Sequence, residues 1–339
     1  MNRHERVQAA LQGKKVDRVP VSGWGHFYHL ENSAQGLADA MLSFQKKYDW
    51  DFMKINPRAC YHAEGWGFTY HQSGKPGERP ECTGYPLRSV EDWKKLEPLS
   101  SNQGALAEHL SAVELIRKGL HGQVPFVMTV FSPLMIASCL ANLSSDFQGL
   151  AEVSATIKRH YQEDPQAVSK GLSAIAETFA DYVRKLVSAG VDGIFYATIW
   201  ASDLLLTPQE YRKLARPHDM LVLEASIKLP FNMLHVCGNR IHFEAMADYP
   251  VHAIHWDMHG ELNPNMAEGK TITPCAVAGG VNRKVMSGGT PDEIKVQVRR
   301  ASIQTRRERL LLAPSCAVAI ADTPDTNLLA MRAAVEEDT

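Results

Sequence analysis

Residues 167–198 read AVSKGLSAIAETFADYVRKLVSAGVDGIFYAT, and this stretch gives the clearest indication of the fold. Its first part, residues 167–189, places large apolar side chains three or four residues apart, which predicts an amphipathic helix. Gly190 suits the end of that helix, because glycine readily adopts left-handed backbone angles. The second part, residues 193–198, is a short apolar run of the kind found in strands buried on both faces. A helix leading into such a strand is the repeating unit of a parallel α/β sheet.

The same alternation continues through the rest of the chain. The candidate strands are residues 19–24, 52–56, 125–131, 193–198, 232–238, 253–257, 275–281 and 310–316. Eight parallel strands separated by helices predict one α/β domain over residues 1–339, a (β/α)8 barrel. An open doubly wound sheet is the alternative, because periodicity does not report whether a sheet closes.

Local signals predict where helices begin and where the chain leaves the barrel. Ser33 precedes a helical pattern that ends at residue 48, and Thr207 and Thr290 each precede a proline and then a glutamate, which is an N-capping pattern. Residues 59–85 are rich in glycine, proline and aromatics, and we expect them to form a lid or hairpin excursion over one barrel end. The acidic residues 336–339 are expected to fray.

The composition excludes several classes of function. The chain has 339 residues, of which 45% are hydrophobic and 22% charged, and its formal net charge is −2. Such a charge offers no broad positive field to nucleic acid or an anionic membrane. The sequence has no apolar run of membrane-spanning length, and residues 1–7 do not resemble a signal peptide. Six scattered cysteines are typical of a reducing compartment, so we expect a cytoplasmic protein.

The strongest candidate site is the run Leu234-His235-Val236-Cys237-Gly238. Residues two apart on a strand share a face, so His235 and Cys237 are predicted to point together while Val236 faces the helices. The following glycine places both at the carboxyl end of the strand, which is the functional end of such a barrel. Imidazole and thiolate are typical zinc ligands. A buried cysteine beside a hydrogen-bonded histidine would give the same pattern.

Cys316 ends the last predicted strand and is therefore expected at the same mouth of the barrel. A His-Cys-Cys set leaves one tetrahedral position of zinc open, which is typical of a catalytic rather than a structural site. We predict a zinc ion held by His235, Cys237 and Cys316. The alternative is that Cys316 is only a small core residue.

Polar residues that end other predicted strands would face the same mouth. Asp257 could orient a zinc-bound histidine or hold a substrate proton. The candidates for substrate contact are His26, Asn56, Tyr196, His255 and Asn282. For each of them, a satisfied polar group at a strand end is the alternative. We expect His242 and His259 at the surface and Cys139 and Cys275 in the core, whereas Cys60 and Cys82 stay undecided.

Short motifs at residues 5–13, 17–21, 189–193, 279–282, 290–293 and 323–328 run from one end of the chain to the other. They resemble the uroporphyrinogen decarboxylase superfamily over nearly the whole sequence, and this resemblance implies a (β/α)8 barrel. Decarboxylases of that family carry an arginine motif after the first strand and Gly-His-Gly near the carboxyl terminus. Here residues 22–29 contain no arginine, and the second place reads Pro314-Ser315-Cys316.

The His-x-Cys pair followed by one distant cysteine resembles another branch of the superfamily. Its members are zinc methyltransferases that move a methyl group from a methyl-corrinoid protein to a thiol such as coenzyme M. The resemblance implies that His235, Cys237 and Cys316 hold Zn²⁺, that zinc binds the acceptor thiol as a thiolate, and that a partner protein presents the corrinoid.

The sequence leaves donor and acceptor open. Homocysteine and tetrahydrofolate are alternative acceptors, and a methoxylated or quaternary-amine compound is an alternative donor. An aromatic pocket for such a donor could come from Trp24, Phe27, Tyr28, Trp66 and Phe68, which could equally be packing residues. Two rival functions remain, a metal-free carboxy-lyase and a non-catalytic corrinoid- or ligand-binding barrel. Monomer and homodimer are both compatible with the sequence.

Overall fold

The computed structural model describes residues 1–144 and 148–337, so residues 338 and 339 of the predicted frayed end lie outside the described part. The helices are α1 Arg3–Leu11, α2 Ala34–Tyr48, α3 Val90–Lys94, α4 Gly104–Leu120, α5 Pro133–Leu140, α6 Leu150–Glu163, α7 Pro165–Ala189, α8 Pro208–Leu214, α9 Arg216–Glu224, α10 Phe243–Met246, α11 Met266–Ile272, α12 Arg283–Gly288, α13 Pro291–Thr305 and α14 Asp325–Glu337. The strands are β1 Met53–Ile55, β2 Thr69–His71, β3 Glu81–Gly84, β4 Phe126–Phe131, β5 Gly193–Thr198, β6 Met233–Val236, β7 Ala253–Trp256, β8 Ala276–Val281 and β9 Leu310–Pro314.

Seven strands form one parallel sheet in the order β1-β4-β5-β6-β7-β8-β9. The segment around Val21 joins its two edges. On one side Leu312 N–H donates to the Pro20 carbonyl at 2.8 Å, and on the other Asp51 N–H donates to the Val21 carbonyl at 2.9 Å. The sheet therefore closes into a (β/α)8 barrel, and the open-sheet alternative is wrong.

The predicted first strand, residues 19–24, is the exception among the eight. It is reduced to a single parallel bridge between Val21 and Leu312, so the prediction of a full strand there is wrong. Pro20 has no N–H, and the N–H of Val21 donates to the Asp51 carboxylate at 2.9 Å instead of to a strand backbone. The other seven predicted strands are present and are at most two residues shorter at either end.

Alternate strand residues divide the core into two layers. On β5, Phe195 and Ala197 belong to the cluster inside the barrel, whereas Ile194 and Tyr196 pack between the sheet and the helices. Val7 of α1 also belongs to the interior cluster, and Gln8 donates to the carbonyl of Pro230, just before β6. Helix α1 thus covers the amino ends of the strands, and the site lies at their carboxyl ends.

The excursion after the second predicted strand contains the expected hairpin. A 3₁₀ helix, Tyr61–Trp66, leads into the antiparallel pair formed by β2 and β3. The predicted helix starts are also confirmed, because Ser33, Thr207 and Thr290 cap α2, α8 and α13 with their side-chain oxygens.

No helix within residues 1–144 and 148–337 is both long enough and apolar enough to cross a membrane.

Candidate metal centre

His235 and Cys237 reach the mouth of the barrel from β6. His235 points into the barrel, while the neighbouring Val236 packs in the outer layer, as the alternation predicts. Cys237 follows the strand directly, and its N–H still donates to the Thr198 carbonyl at 2.8 Å. Gly238 then turns the chain away with φ +101°, a backbone angle that favours glycine.

Cys316 comes to the same point from the turn after β9. The ligand atoms of His235, Cys237 and Cys316 all lie within 4.8 Å of one another. Cys316 Sγ is 3.7 Å from His235 Nε2. A histidine nitrogen and a thiolate sulfur on one tetrahedral zinc ion lie about 3.6 Å apart, so the spacing of His235 and Cys316 fits the metal.

A buried histidine relay fixes the orientation of His235. His255 Nε2 lies 2.8 Å from the Pro314 carbonyl, which can only accept, so this nitrogen carries a proton. Burial, reinforced by the neighbouring His235, lowers the pKa of His255 to about 3, and the ring is therefore neutral. Its Nδ1 must then accept from His235 Nδ1, 2.7 Å away, which leaves the Nε2 lone pair of His235 facing Cys316.

The two thiols of the cluster share a proton unequally. Cys237 donates to Cys316, which together with burial raises the pKa of Cys237 well above its usual value. Accepting that bond holds the pKa of Cys316 below its usual value even though burial opposes the shift. Without metal the site already favours one thiolate, which is the form that binds zinc.

The cluster opens into a cavity of about 150 Å³ at the carboxyl ends of the strands. Among the described residues that line it, none carries a carboxylate. Four cationic side chains do line it: Lys54, Arg58, Arg79 and Arg283. Trp24, Phe131 and Phe195 give it apolar walls. The cavity therefore combines an apolar interior with several basic side chains, of which Arg58 is already paired with Glu64 and Glu108. Such a lining suits a small anionic molecule.

Lys54 occupies the floor of this cavity. Its ammonium lies 4.7 Å from the centre of the Phe195 ring and 6.0 Å from that of Trp24. Its one hydrogen bond among the described residues goes to Asn56 Oδ1, at 2.7 Å. Burial lowers the pKa of Lys54 to about 7, although Cys316 and Glu31 oppose the shift.

A second group of thiols lies on another part of the cavity wall. Cys60 and Cys139 line the cavity, and Cys60 donates to Cys82 of β3. His62 Nε2 is 3.3 Å from Cys139 Sγ. Burial raises the pKa of Cys139 to about 12 and lowers that of His62 to about 3, so this pair stays neutral. Cys139 is buried as predicted, while Cys275 is only partly buried and lies outside the lining.

Only some of the predicted substrate residues reach the cavity. His26 and Asn56 line it, and His26 Nδ1 is held by Glu31. Tyr196 points outward, because it alternates with the inward residues of β5, and donates to Asp219 at 2.6 Å. His255 is fully buried behind His235. Placing Tyr196 and His255 against substrate is therefore wrong.

The remaining predicted residues serve local structure. Asn282 caps α12 by accepting from Lys284 N–H, and Asp257 accepts from His259 N–H at 3.0 Å, so within the described residues it is His255 that orients His235. His259 is exposed as expected, but His242 is buried and donates to the Leu206 carbonyl, contrary to expectation. Of the five predicted aromatic residues, Trp24 and Tyr28 line the cavity, while Phe27, Trp66 and Phe68 pack elsewhere.

Three residues at or beside the cavity, Lys54, Glu31 and Arg283, were missed by sequence reasoning. Lys54 did carry a signal, because residues 52–56 read Phe-Met-Lys-Ile-Asn and a charge inside a doubly buried strand needs a reason. Glu31 and Arg283 lie in a turn and at a helix start, where charged residues are ordinary.

Comparison with known proteins places the chain among its relatives. The family profile described as "Uroporphyrinogen decarboxylase (URO-D)" matches residues 2–337. A uroporphyrinogen decarboxylase of Pseudoalteromonas translucida is 24% identical over 282 residues, which are 81% of this chain and 75% of that protein. One from Salmonella paratyphi B is 27% identical over 191 residues, 56% of this chain and 50% of its own length.

Two solved structures share the fold. A methyltransferase from Methanosarcina mazei superposes with a TM-score of 0.83 at 21% identity, covering 100% of this chain and 99% of that one. A B12-independent methionine synthase from Shewanella sp. W3-18-1 gives 0.62 at 14% identity, covering 95% and 98%. Since the family profile spans almost every residue, the chain belongs to the uroporphyrinogen decarboxylase family.

Proposed function

We propose that this chain is a zinc-dependent methyltransferase that moves a methyl group from a methyl-corrinoid protein, or from a methylated small molecule, to a thiol such as coenzyme M or homocysteine. The observation that carries the proposal is the convergence of His235, Cys237 and Cys316, whose ligand atoms lie within 4.8 Å. Three such ligands leave one tetrahedral position for a substrate. Zinc bound there would supply the Lewis acidity that keeps a substrate thiol deprotonated at neutral pH.

The chain's own residues support this chemistry in separate ways. His255 holds the ring of His235 in the tautomer whose Nε2 can bind metal. The apolar walls formed by Trp24 and Phe195 exclude water, which strengthens the nucleophilicity of sulfur. The ammonium of Lys54 offsets the negative charge that two cysteine thiolates and a substrate thiolate would place at the floor of the cavity.

The cavity also bears on which substrate enters. A volume of about 150 Å³ suits a thiol of a few heavy atoms, and both coenzyme M and homocysteine carry an anionic group that Lys54 or Arg283 could meet. A corrinoid ring is far larger than this volume. A corrinoid donor would therefore present its methyl group from a partner protein at the mouth, whereas a small methylated donor could enter.

One observation favours a second candidate, a carboxy-lyase that acts on a small acid. The cationic lining and the lack of carboxylates among its described residues would suit such a substrate. The same volume argues against a tetrapyrrole. Metal dependence separates the two candidates, because only the methyl transfer requires the His-Cys-Cys site.

The first experiment measures zinc per chain in protein purified without a histidine tag. We expect about one zinc ion in the wild type and in Cys275→Ala, and a large loss in Cys316→Ala. Cys275 is a matched control, because it is a free cysteine that lies just before β8, at the opposite end of the barrel. Methylation of coenzyme M and of homocysteine would then be assayed with methylcobinamide as the donor.

The outcomes separate the candidates. No zinc after reconstitution under reducing conditions would rule out the methyltransferase and direct the work to the lyase. A zinc-loaded protein that binds a thiol but transfers no methyl group from any donor would indicate the non-catalytic ligand-binding barrel instead.

A further inference from the structure

His26 and Glu31 form a pair at the edge of the cavity. His26 Nδ1 lies 3.1 Å from each oxygen of the Glu31 carboxylate. The His26 ring stacks on Tyr28 at 4.9 Å between centres and 6° between planes, which fixes its orientation. Because Gly25 pairs in parallel with Val318, His26 lies beside the turn that carries Cys316.

The carboxyl group of Glu31 accepts hydrogen bonds at both of its oxygens. Its side chain is fully buried, and its oxygens accept from the backbone N–H groups of Phe27 at 3.0 Å and Ala59 at 2.9 Å. Because both oxygens accept, the hydrogen bond between Glu31 and His26 is donated by Nδ1 of the ring. The other ring nitrogen, Nε2, lies at the opposite edge of the ring, away from the carboxyl group.

The His26 ring reaches the cavity where a substrate would sit. Its side chain keeps 22% of its surface exposed, and it lines the cavity together with Cys316 and Lys54. A carboxylate–histidine pair with one imidazole nitrogen facing a substrate cavity is the arrangement of a general base.

We propose that His26 is a catalytic proton acceptor of this site, through Nε2, and that Glu31 is its positioning residue. The inference rests on the proposed function. The thiol S–H bond breaks with its electron pair left on sulfur, and the proton passes to His26 Nε2. That electron pair forms the new S–CH₃ bond, while the bond between methyl and donor breaks with its electrons left on the donor. His26 then gives the proton to an oxygen or nitrogen leaving group, or to water when the donor is a methyl-corrinoid.

The other titratable groups around the cavity serve this step less well. The other titratable groups that line the same cavity are Tyr28, Lys54, Arg58, Cys60, His62, Arg79, Cys139, His235, Cys237, Arg283 and Cys316. Arginines do not accept protons at working pH. Lys54 makes no hydrogen bond to a carboxylate among the described residues, and Glu31 acts on it only through space, whereas Glu31 touches His26 directly.

The nitrogen of His26 that carries the proton can be identified without measuring activity. Histidine-selective ¹⁵N labelling, with His26→Gln to assign the signal, reports which ring nitrogen carries the proton. We expect the proton on Nδ1, facing Glu31, and none on Nε2 when the spectrum is recorded at alkaline pH. A proton found on Nε2 instead would overturn the inference, whatever the activity of the protein.

The role in turnover is tested by chemical rescue. His26→Ala should lower the methylation rate by about 10²- to 10⁴-fold, while zinc content and the calorimetric Kd for coenzyme M stay at wild-type values. Added imidazole should restore part of the rate. Wild type with imidazole controls for binding of imidazole to zinc, and His259→Ala is the matched variant, since His259 is an exposed histidine near the same mouth.

Glu31 is tested as a positioning residue through the split between kcat and KM. Glu31→Gln should lower kcat without raising KM for the thiol, and Glu31→Asp should recover part of the loss. If His26→Ala keeps the wild-type rate, or binds thiol normally and does not respond to imidazole, the inference is wrong while the proposed function stands. A wild type that methylates no thiol overturns both.

Discussion

Replacing Lys54 with methionine is expected to stabilise the folded chain, and to do so most at low pH. The amine is fully buried and forms no ion pair within the described residues, and burial lowers its pKa from 10.5 to about 7. One pKa unit corresponds to about 1.4 kcal/mol, so a protonated Lys54 opposes folding by about 5 kcal/mol. Methionine matches the unbranched stem without the charge.

The pH dependence follows from the sign of the shift. Because the folded pKa lies below the unfolded one, the unfolded chain binds the proton more tightly. The destabilisation is complete below pH 7 and shrinks as the pH rises from about 7 toward 10.5. We therefore expect the gain from Lys54→Met to fall from about 5 kcal/mol at pH 6 to about 2 kcal/mol at pH 9.

Urea unfolding of zinc-free protein measures this difference. Wild type, Lys54→Met and the surface control Lys228→Met would be unfolded with chelator and reductant present at pH 6, 7, 8 and 9. Lys228 is exposed, so its replacement should leave the free energy of unfolding unchanged within about 0.5 kcal/mol at every pH. A gap between wild type and Lys54→Met that stays constant over this range would refute the reasoning.

Three further predictions concern the metal centre and its surroundings. His255→Ala should weaken zinc binding by about 10- to 100-fold in competition with a chromophoric chelator, whereas Asp257→Ala should not, because it is His255 that accepts the hydrogen bond of His235. Adding zinc at about 100 times its Kd should stabilise the zinc-free chain by about 2.7 kcal/mol, and Cys316→Ala should abolish that gain in thermal unfolding. Tyr196→Phe should lower the free energy of unfolding by about 1–2 kcal/mol through the lost Asp219 bond, and a changed zinc content or kcat would contradict its outward placement.

Burying the amine of Lys54 lowers the free energy of unfolding, and this is why we assign Lys54 to the site rather than to the core. A charged amine inside a doubly buried strand lowers stability, and such residues concentrate where function needs them. Removing its charge is expected to stabilise the fold and, under the proposed function, to slow methyl transfer. The two effects are measured separately, by unfolding and by turnover.

Much of the fold was predictable because its signals are local. The helical spacing before Gly190 and the apolar run of β5 each depend on neighbours a few residues away, and both are present as expected. The prediction of a full strand at residues 19–24 was wrong for a different reason. Pro20 removes one donor, and Asp51, thirty residues later, takes the next one, which no window of sequence around Val21 reveals.

The sequence by itself determined the alternation of strands and helices and the pairing of His235 with Cys237, because period-two geometry places residues two apart on one face. Which groups support His235 and Cys237 depends on the tertiary structure. His255 orients His235 because parallel register sets His235 opposite His255 on the neighbouring strand, and the buried carboxyl group of Glu31 reaches His26 from an otherwise exposed turn. Closing the barrel brings Cys316 within reach of strands far away in sequence. Register and closure are properties of the whole sheet, so they are settled only when all its strands have paired.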